Sequence, residues 1–164
     1  MLREITIQKR LLFAFSLLIL LLIGVGTLSL SSMKTIRSHA AEVETNMLPA
    51  ILSLGEVNLN LMRVRVFTLR LLLDKDQQSR QHTAAQIQQM KQAVEKYSAD
   101  YQKTIRSDEE QQLYHQFTAS VAAYYAAQQQ FYTLALQGDL AQAEALLSEI
   151  NPLSDRMTKD LVAI

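Results

Sequence analysis

The sequence predicts an all-α protein: an N-terminal transmembrane helix continuing into an up-down-up-down four-helix bundle. Three observations predict it. The 164 residues include only 4 glycines and 2 prolines, while 49% are hydrophobic, with Ala, Leu and Gln abundant. A run without a single charge, LLFAFSLLILLLIGVGTLSL, occupies Leu11 to Leu30. Beyond it, apolar residues recur at spacings of 3 and 4, the period of a helix with one buried face.

Leu11–Leu30 would span about 30 Å, the thickness of a bilayer core. Arg3, Lys9 and Arg10 precede it with Glu4 alone to offset them. The positive-inside rule therefore leaves residues 1–10 in the cytoplasm, 11–30 in the membrane and 31–164 on the far side. A cleaved signal peptide is the competing reading, with Gly24-Val25-Gly26 as a weak small-x-small site. Apolar and small residues continue past that site without a break, which favours an uncleaved anchor.

No glycine or proline interrupts Thr27 to Met47, so the anchor is expected to run straight into a soluble helix. Pro49 is its one breaker, a kink or short joint rather than a stop. Two apolar rows follow. One holds Leu48, Leu52, Gly55, Leu59, Met62, Val66, Leu69 and Leu73; the other holds Ala50, Leu54, Val57, Leu61, Val64, Thr68 and Leu71. Together they make a wide stripe suited to a bundle core. RVRVFTLRL also alternates with period 2, but the helical rows extend past it on both sides and no partner strand exists elsewhere.

Asp74-Lys75-Asp76 marks the first turn. The second helix is expected from about Gln77 to Ile105, with Ala84, Ile87, Met90, Val94, Tyr97 and Tyr101 inward. Ser107 to Glu110 forms a capping box. The third helix then buries Leu113, Phe117, Ser120, Tyr124, Ala127, Phe131 and Leu134. Gly138 caps its end and Asp139 starts the fourth helix, which carries Asn151-Pro152 in its middle. The proline is expected to bend that helix. Met33 to Leu73 spans roughly 60 Å, the second and third helices about 45 Å each, and the fourth about 37 Å when the sequence stops at Ile164. Roughly 15 more residues would bring it level with the bilayer, where a second span would follow.

Lys plus Arg and Asp plus Glu both number 16, which gives no electrostatic footprint for nucleic acid. Residues 31–164 are about two charges on the acidic side of neutral. There is no cysteine, which excludes disulfides and thiol chemistry. His39, His82 and His115 have no metal-ligand spacing, so neither metal nor cofactor is expected. No nucleophile–base pair, phosphate loop or paired-carboxylate site argues for an enzyme.

One stretch asks for an explanation. LMRVRVFTLRLLLD places Arg63, Arg65 and Arg70 in an apolar run, at a cost if they are buried without partners. Arg63, Phe67 and Arg70 share a face with Asn60, at the edge of the apolar stripe, where a dimer partner or a ligand could meet them. Arg65 points toward the side of Asn58 and Thr68. By helical level the cluster lies opposite SEINPLS on the fourth helix, where the proline opens space for a pocket. A guanidinium suits a carboxylate because its planar fork donates two parallel hydrogen bonds. The plain alternative is a snorkelling arginine, with Arg70 paired to Asp74 and Arg63 to Glu56.

ITIQKRLLFAFSLLILLLIGVGTLSL, followed by a bundle broken at these places, resembles the transmembrane and periplasmic sensor region of bacterial methyl-accepting chemotaxis receptors with a four-helix-bundle ligand-binding domain. The resemblance covers the whole chain. It implies a homodimer in the inner membrane, with the sensor domain in the periplasm. It also implies a small-molecule ligand and signalling to the chemotaxis kinase and adaptor through a cytoplasmic part beyond Ile164. In the family, arginines of the first helix hold the ligand carboxylate at the dimer interface, and Arg70-Leu71-Leu72-Leu73-Asp74 resembles the segment with the distal arginine. The ligand set this implies is Arg63, Arg65, Phe67, Arg70, Tyr132, Ser148, Asn151 and Ser154. Leu61 stands where the family has its most N-terminal arginine, and Leu153 where it has a threonine. No phenylalanine pair flanks Pro152. The carboxylate could thus be an amino acid or another organic acid. The same module also fronts histidine kinases and diguanylate cyclases, and a membrane-anchored scaffold that binds only protein is the remaining alternative.

Overall fold

The computed structural model describes residues 7–164; the expected cytoplasmic segment 1–10 lies largely outside them. The described residues are helical and contain no strand. The elements are α1 (Ile7–Glu42), a π-helical turn (Val43–Met47), α2 (Leu48–Leu73), α3 (Gln77–Gln102), α4 (Asp108–Gln137), α5 (Leu140–Ala145) and α6 (Leu147–Val162). They form two units, one ending at Thr45 and one running Asn46–Ile164.

In the first unit, α1 contains a stretch long and apolar enough to cross a membrane, and the most apolar part of it is wholly unburied. From Leu11 to Leu30 the large apolar side chains face outward: Leu22 is 71% exposed and Phe13 73%. A helical stretch that is apolar all round and exposed is suited to lipid rather than to water.

The π turn answers the question of Pro49. Its ring nitrogen has no hydrogen to donate toward Thr45, four residues back, and the helix widens by a residue there. Pro49 itself occupies the first turn of α2, where the missing N–H costs little. The boundary between the two units falls inside this turn.

The second unit is the bundle. α2 packs along α3, and α4 packs along α5 and α6; α2 also touches α5 and α6, and α3 touches α4. Its core is apolar and aromatic, built on Val57, Leu61, Val64 and Leu71 of α2, Ile87 and Val94 of α3, Phe117, Tyr124 and Phe131 of α4, and Ile150 and Met157 of α6. Burying a Val, Leu, Ile, Phe or Met side chain stabilises by about 1.5–3 kcal/mol, so this row carries the bundle.

The capping chemistry follows the sequence closely. Asp76 accepts from the Ser79 backbone N–H at 2.8 Å, and this bond holds its carboxyl below the usual carboxylate range. Ser107 accepts from the Glu110 N–H at 3.1 Å. Glu110 reaches back one residue further than a standard box, to the Arg106 N–H at 3.2 Å, because its other oxygen takes the Tyr101 hydroxyl. Gly138 has φ 87°, a left-handed C-cap that only glycine adopts cheaply. α3 stops at Gln102, three residues before the expected end, where the Lys103 and Thr104 N–H groups turn back to Asp100 and Tyr101.

The last helix departs from expectation. Its interruption is at Leu146, not at the proline, and α6 continues through Pro152 to Val162. The carbonyl that Pro152 leaves without a donor is that of Ser148, an exposed residue, so water can satisfy it and the helix need not open.

Candidate functional site

The eight residues expected around a ligand fall into three places. Arg63, Phe67 and Arg70 share one side of α2. The Arg70 guanidinium lies over the Phe67 ring, 5.5 Å from its centroid, and its Nε is 3.7 Å from an Asp74 carboxylate oxygen. Asp74 is itself held by the Thr83 hydroxyl at 2.6 Å. Arg63 is exposed and makes no ion pair or hydrogen bond among the described residues. Asn60, expected on the same face, is buried and donates to the Glu56 backbone carbonyl at 2.8 Å and to its carboxylate at 3.4 Å; no ion pair joins Glu56 to Arg63 among the described residues.

Arg65, Tyr132 and Ser154 lie where helices of the bundle meet, Ser154 buried and the other two half-buried. Arg65 Nη2 meets Asp155 of α6 at 3.1 Å. The Tyr124 hydroxyl has Thr68, Ser154 and the Arg65 guanidinium around it; burial still pushes it up to about 12. Gln128, fully buried, donates to Thr68 at 3.0 Å and accepts from Tyr132 at 2.8 Å, while Thr68 donates to the Val64 carbonyl at 2.7 Å. This network joins α2 to α4. Ser154, 1% exposed, keeps a hydroxyl without a partner among the described residues.

Ser148 and Asn151 lie on the exposed side of α6, and Ser148 donates to the Ala145 carbonyl at 2.9 Å. The structure does not bring them to the arginines: α6 is continuous through Pro152 and this side of it is turned to water.

Two clefts lie elsewhere. One of about 190 Å³ between α4 and α6 is lined by Ala119, Ser120, Ala123, Leu153 and Arg156. Behind it Asp160, 6% exposed, accepts from Gln116 at 3.0 Å and from Ser120. The other, about 250 Å³, lies between α3 and α4. At its side the Lys91 ammonium rests on two tyrosine rings, 4.2 Å from the Tyr125 centroid and 4.7 Å from that of Tyr132. Burial holds Lys91 down at about 8 against a partial offset from Glu95.

Sequence reasoning missed Gln128, Asp160 and Lys91. A signal existed for each: Gln128 stands between Tyr124 and Phe131 at helical spacing, Lys91 between Ile87 and Val94, and Asp160 three residues after Met157. A polar residue in the buried register was the mark to look for.

A long, unburied apolar helix and a separate antiparallel bundle with a polar-stitched core define a helical sensory module of the membrane-receptor type. The chain belongs to the family described as the four helix bundle sensory module for signal transduction, found in methyl-accepting chemotaxis proteins, which it matches over residues 4–164. That family is a sensory signal-transduction module, not a catalytic domain. No curated protein and no solved structure matches the chain.

Proposed function

We propose that this chain is the ligand-sensing region of a chemotaxis receptor, homodimeric, anchored in the inner membrane by Leu11–Leu30, with the bundle in the periplasm. The ligand is a small carboxylate, and the output reaches a chemotaxis kinase and adaptor through segments beyond Ile164. One observation carries this reading. Of the two apolar rows on α2, the row of Val57, Leu61, Val64, Thr68 and Leu71 is buried, while Leu48, Leu52, Leu59, Val66, Leu69 and Leu73 lie uncovered, 43–78% exposed. A second copy of the chain is the partner that would cover such a row along its length, since an isologous contact presents the same surface twice.

Arg63 and Arg70 stand at the edge of the uncovered row. A dimer formed along it would bring them to the interface, where exclusion of water strengthens the pairing of a guanidinium with a carboxylate. Binding there would signal only if one arrangement of α6 against α2 takes the ligand better than another. A small axial shift of packed helices suits such a device.

The test is a thermal-shift screen of the full chain in detergent against amino acids and other organic acids. A ligand at 100 times its dissociation constant should add about 2.7 kcal/mol to stability. The reading expects a hit that disappears in Arg70→Ala or Arg63→Ala and survives in Arg106→Ala, an exposed control. Absence of any carboxylate hit, in a chain shown to be dimeric, would overturn the ligand assignment.

A further inference from the structure

The α3–α4 cleft has apolar walls and a small set of hydrogen-bond acceptors. Val94 of α3 and Phe117, Val121 and Tyr125 of α4 line it, Tyr125 with its ring carbons, since its hydroxyl is buried. Three polar side chains share the lining: Glu95 and Ser98 of α3 and Thr118 of α4. Thr118 donates its hydroxyl hydrogen to the His115 carbonyl at 2.9 Å, so toward the cleft its oxygen can only accept. A carboxylate likewise only accepts, and that of Glu95 makes no ion pair among the described residues. Lys91, four residues back on α3, acts on Glu95 only at a distance. Its ammonium lies over the Tyr125 and Tyr132 rings, 4.2 and 4.7 Å from their centroids, and outside the cleft lining.

At about 250 Å³ the space is below the usual range for drug-sized ligands and suits a compact one. A neutral apolar molecule filling it would strip water from the cleft side of Glu95, at a cost that nothing in the molecule repays. A cation brings the compensation with it. We propose that this cleft is a second binding site, separate from the arginine face of α2, for a compact primary amine with an aromatic or branched apolar body. The body fills the slot. The ammonium donates to Glu95, and the hydroxyl oxygens of Thr118 and Ser98 are the further acceptors for its three N–H groups. The charge logic selects the amine: the one charged group in the lining is a carboxylate, and no cation there meets an acid.

Isothermal titration calorimetry on the full chain in detergent tests this, with benzylamine as the probe and benzyl alcohol as its neutral counterpart. Benzylamine should bind saturably and more tightly than benzyl alcohol. Glu95→Gln should weaken it roughly tenfold, as loss of a charge-assisted hydrogen bond does. Ala122→Leu, at an exposed position on the cleft wall, should abolish binding by filling the space, and so separates the cleft from uptake by the micelle. Glu95 and Ala122 are both exposed, so both variants should melt with the wild type. Glu144→Gln, which neutralises an exposed carboxylate on α5, and Arg63→Ala/Arg70→Ala should leave benzylamine binding unchanged. Absence of binding, binding indifferent to Glu95→Gln or to Ala122→Leu, or equal affinity for benzyl alcohol would each overturn the proposal.

Discussion

Arg65 of α2 and Asp155 of α6 are joined by an ion pair of 3.1 Å, a direct charged link between the helix that carries the arginine face and the last helix of the bundle. The two side chains are 36% and 67% exposed, so water screens the pair and it adds little stability. Asp155 nonetheless occupies the position at Arg65 that a ligand carboxylate would take. Asp155→Asn should change the folding free energy by less than about 1 kcal/mol. It should also tighten any carboxylate that uses Arg65. Unchanged affinity in a titration of this variant would remove Arg65 from the ligand set.

The buried Thr68–Gln128–Tyr132 network should behave as structure. Gln128→Ala deletes two hydrogen bonds and opens a cavity at a fully buried position. A loss of about 2–4 kcal/mol is expected in urea unfolding of the detergent-solubilised chain.

Asp160 should discriminate between shape and hydrogen bonding. Asp160→Ala leaves the buried Ser120 hydroxyl without its acceptor and should cost about 1–3 kcal/mol. Asp160→Asn keeps an oxygen for that hydroxyl and should cost less. Comparing the melting temperatures of the two variants decides it.

Stability should rise between about pH 8 and 10 and fall above that. Lys91 sits at about 8 in the folded chain against 10.5 unfolded. Between those values the unfolded chain binds more protons, so raising the pH favours the fold. Desolvation pushes Tyr125 and Tyr132 above the ordinary 10.0, so above pH 10 the unfolded chain loses protons that the folded chain keeps, and stability falls. The groups around Lys91 are Glu95 on its own helix and the two tyrosines from α4. In Lys91→Met the rising limb should vanish while the falling limb stays; thermal melts across pH 7–11 check both.

The uncovered row of α2 should govern association and leave folding alone. Leu59→Gln/Val66→Gln replaces two exposed residues, so each change should shift folding by no more than about 0.5 kcal/mol. Sedimentation should show wild-type dimers and variant monomers. A variant that stays dimeric would place the interface on another surface.

The sequence was most legible where one residue type dictates one local geometry. Ser107, Gly138 and Asp139 each cap a helix where their chemistry says they should, and Asp76, read only as part of a turn, caps α3 as well. The proline of α6 does not end the helix: it removes one backbone hydrogen bond, and the carbonyl it leaves without a donor, that of the exposed Ser148, is open to water. Among the site residues, the grouping of Arg63, Phe67 and Arg70 was readable because it follows from position along a single helix. The partners of Arg65 were not, because Asp155 lies on another helix.

What the sequence by itself determined is the succession of helices apart from the break at Leu146, the apolar run of α1 and the apolar rows along α2, α3 and α4; these rest on period, charge and capping, all local properties. Only the tertiary structure decided which of the two apolar rows on α2 is covered, since both have the same period and burial depends on what packs against them. It likewise decided that Lys91, Gln128 and Asp160 face inward and what each of them meets. Hydrogen bonds and ion pairs between helices depend on axial register, which is fixed by packing the whole core at once and by no single stretch of chain.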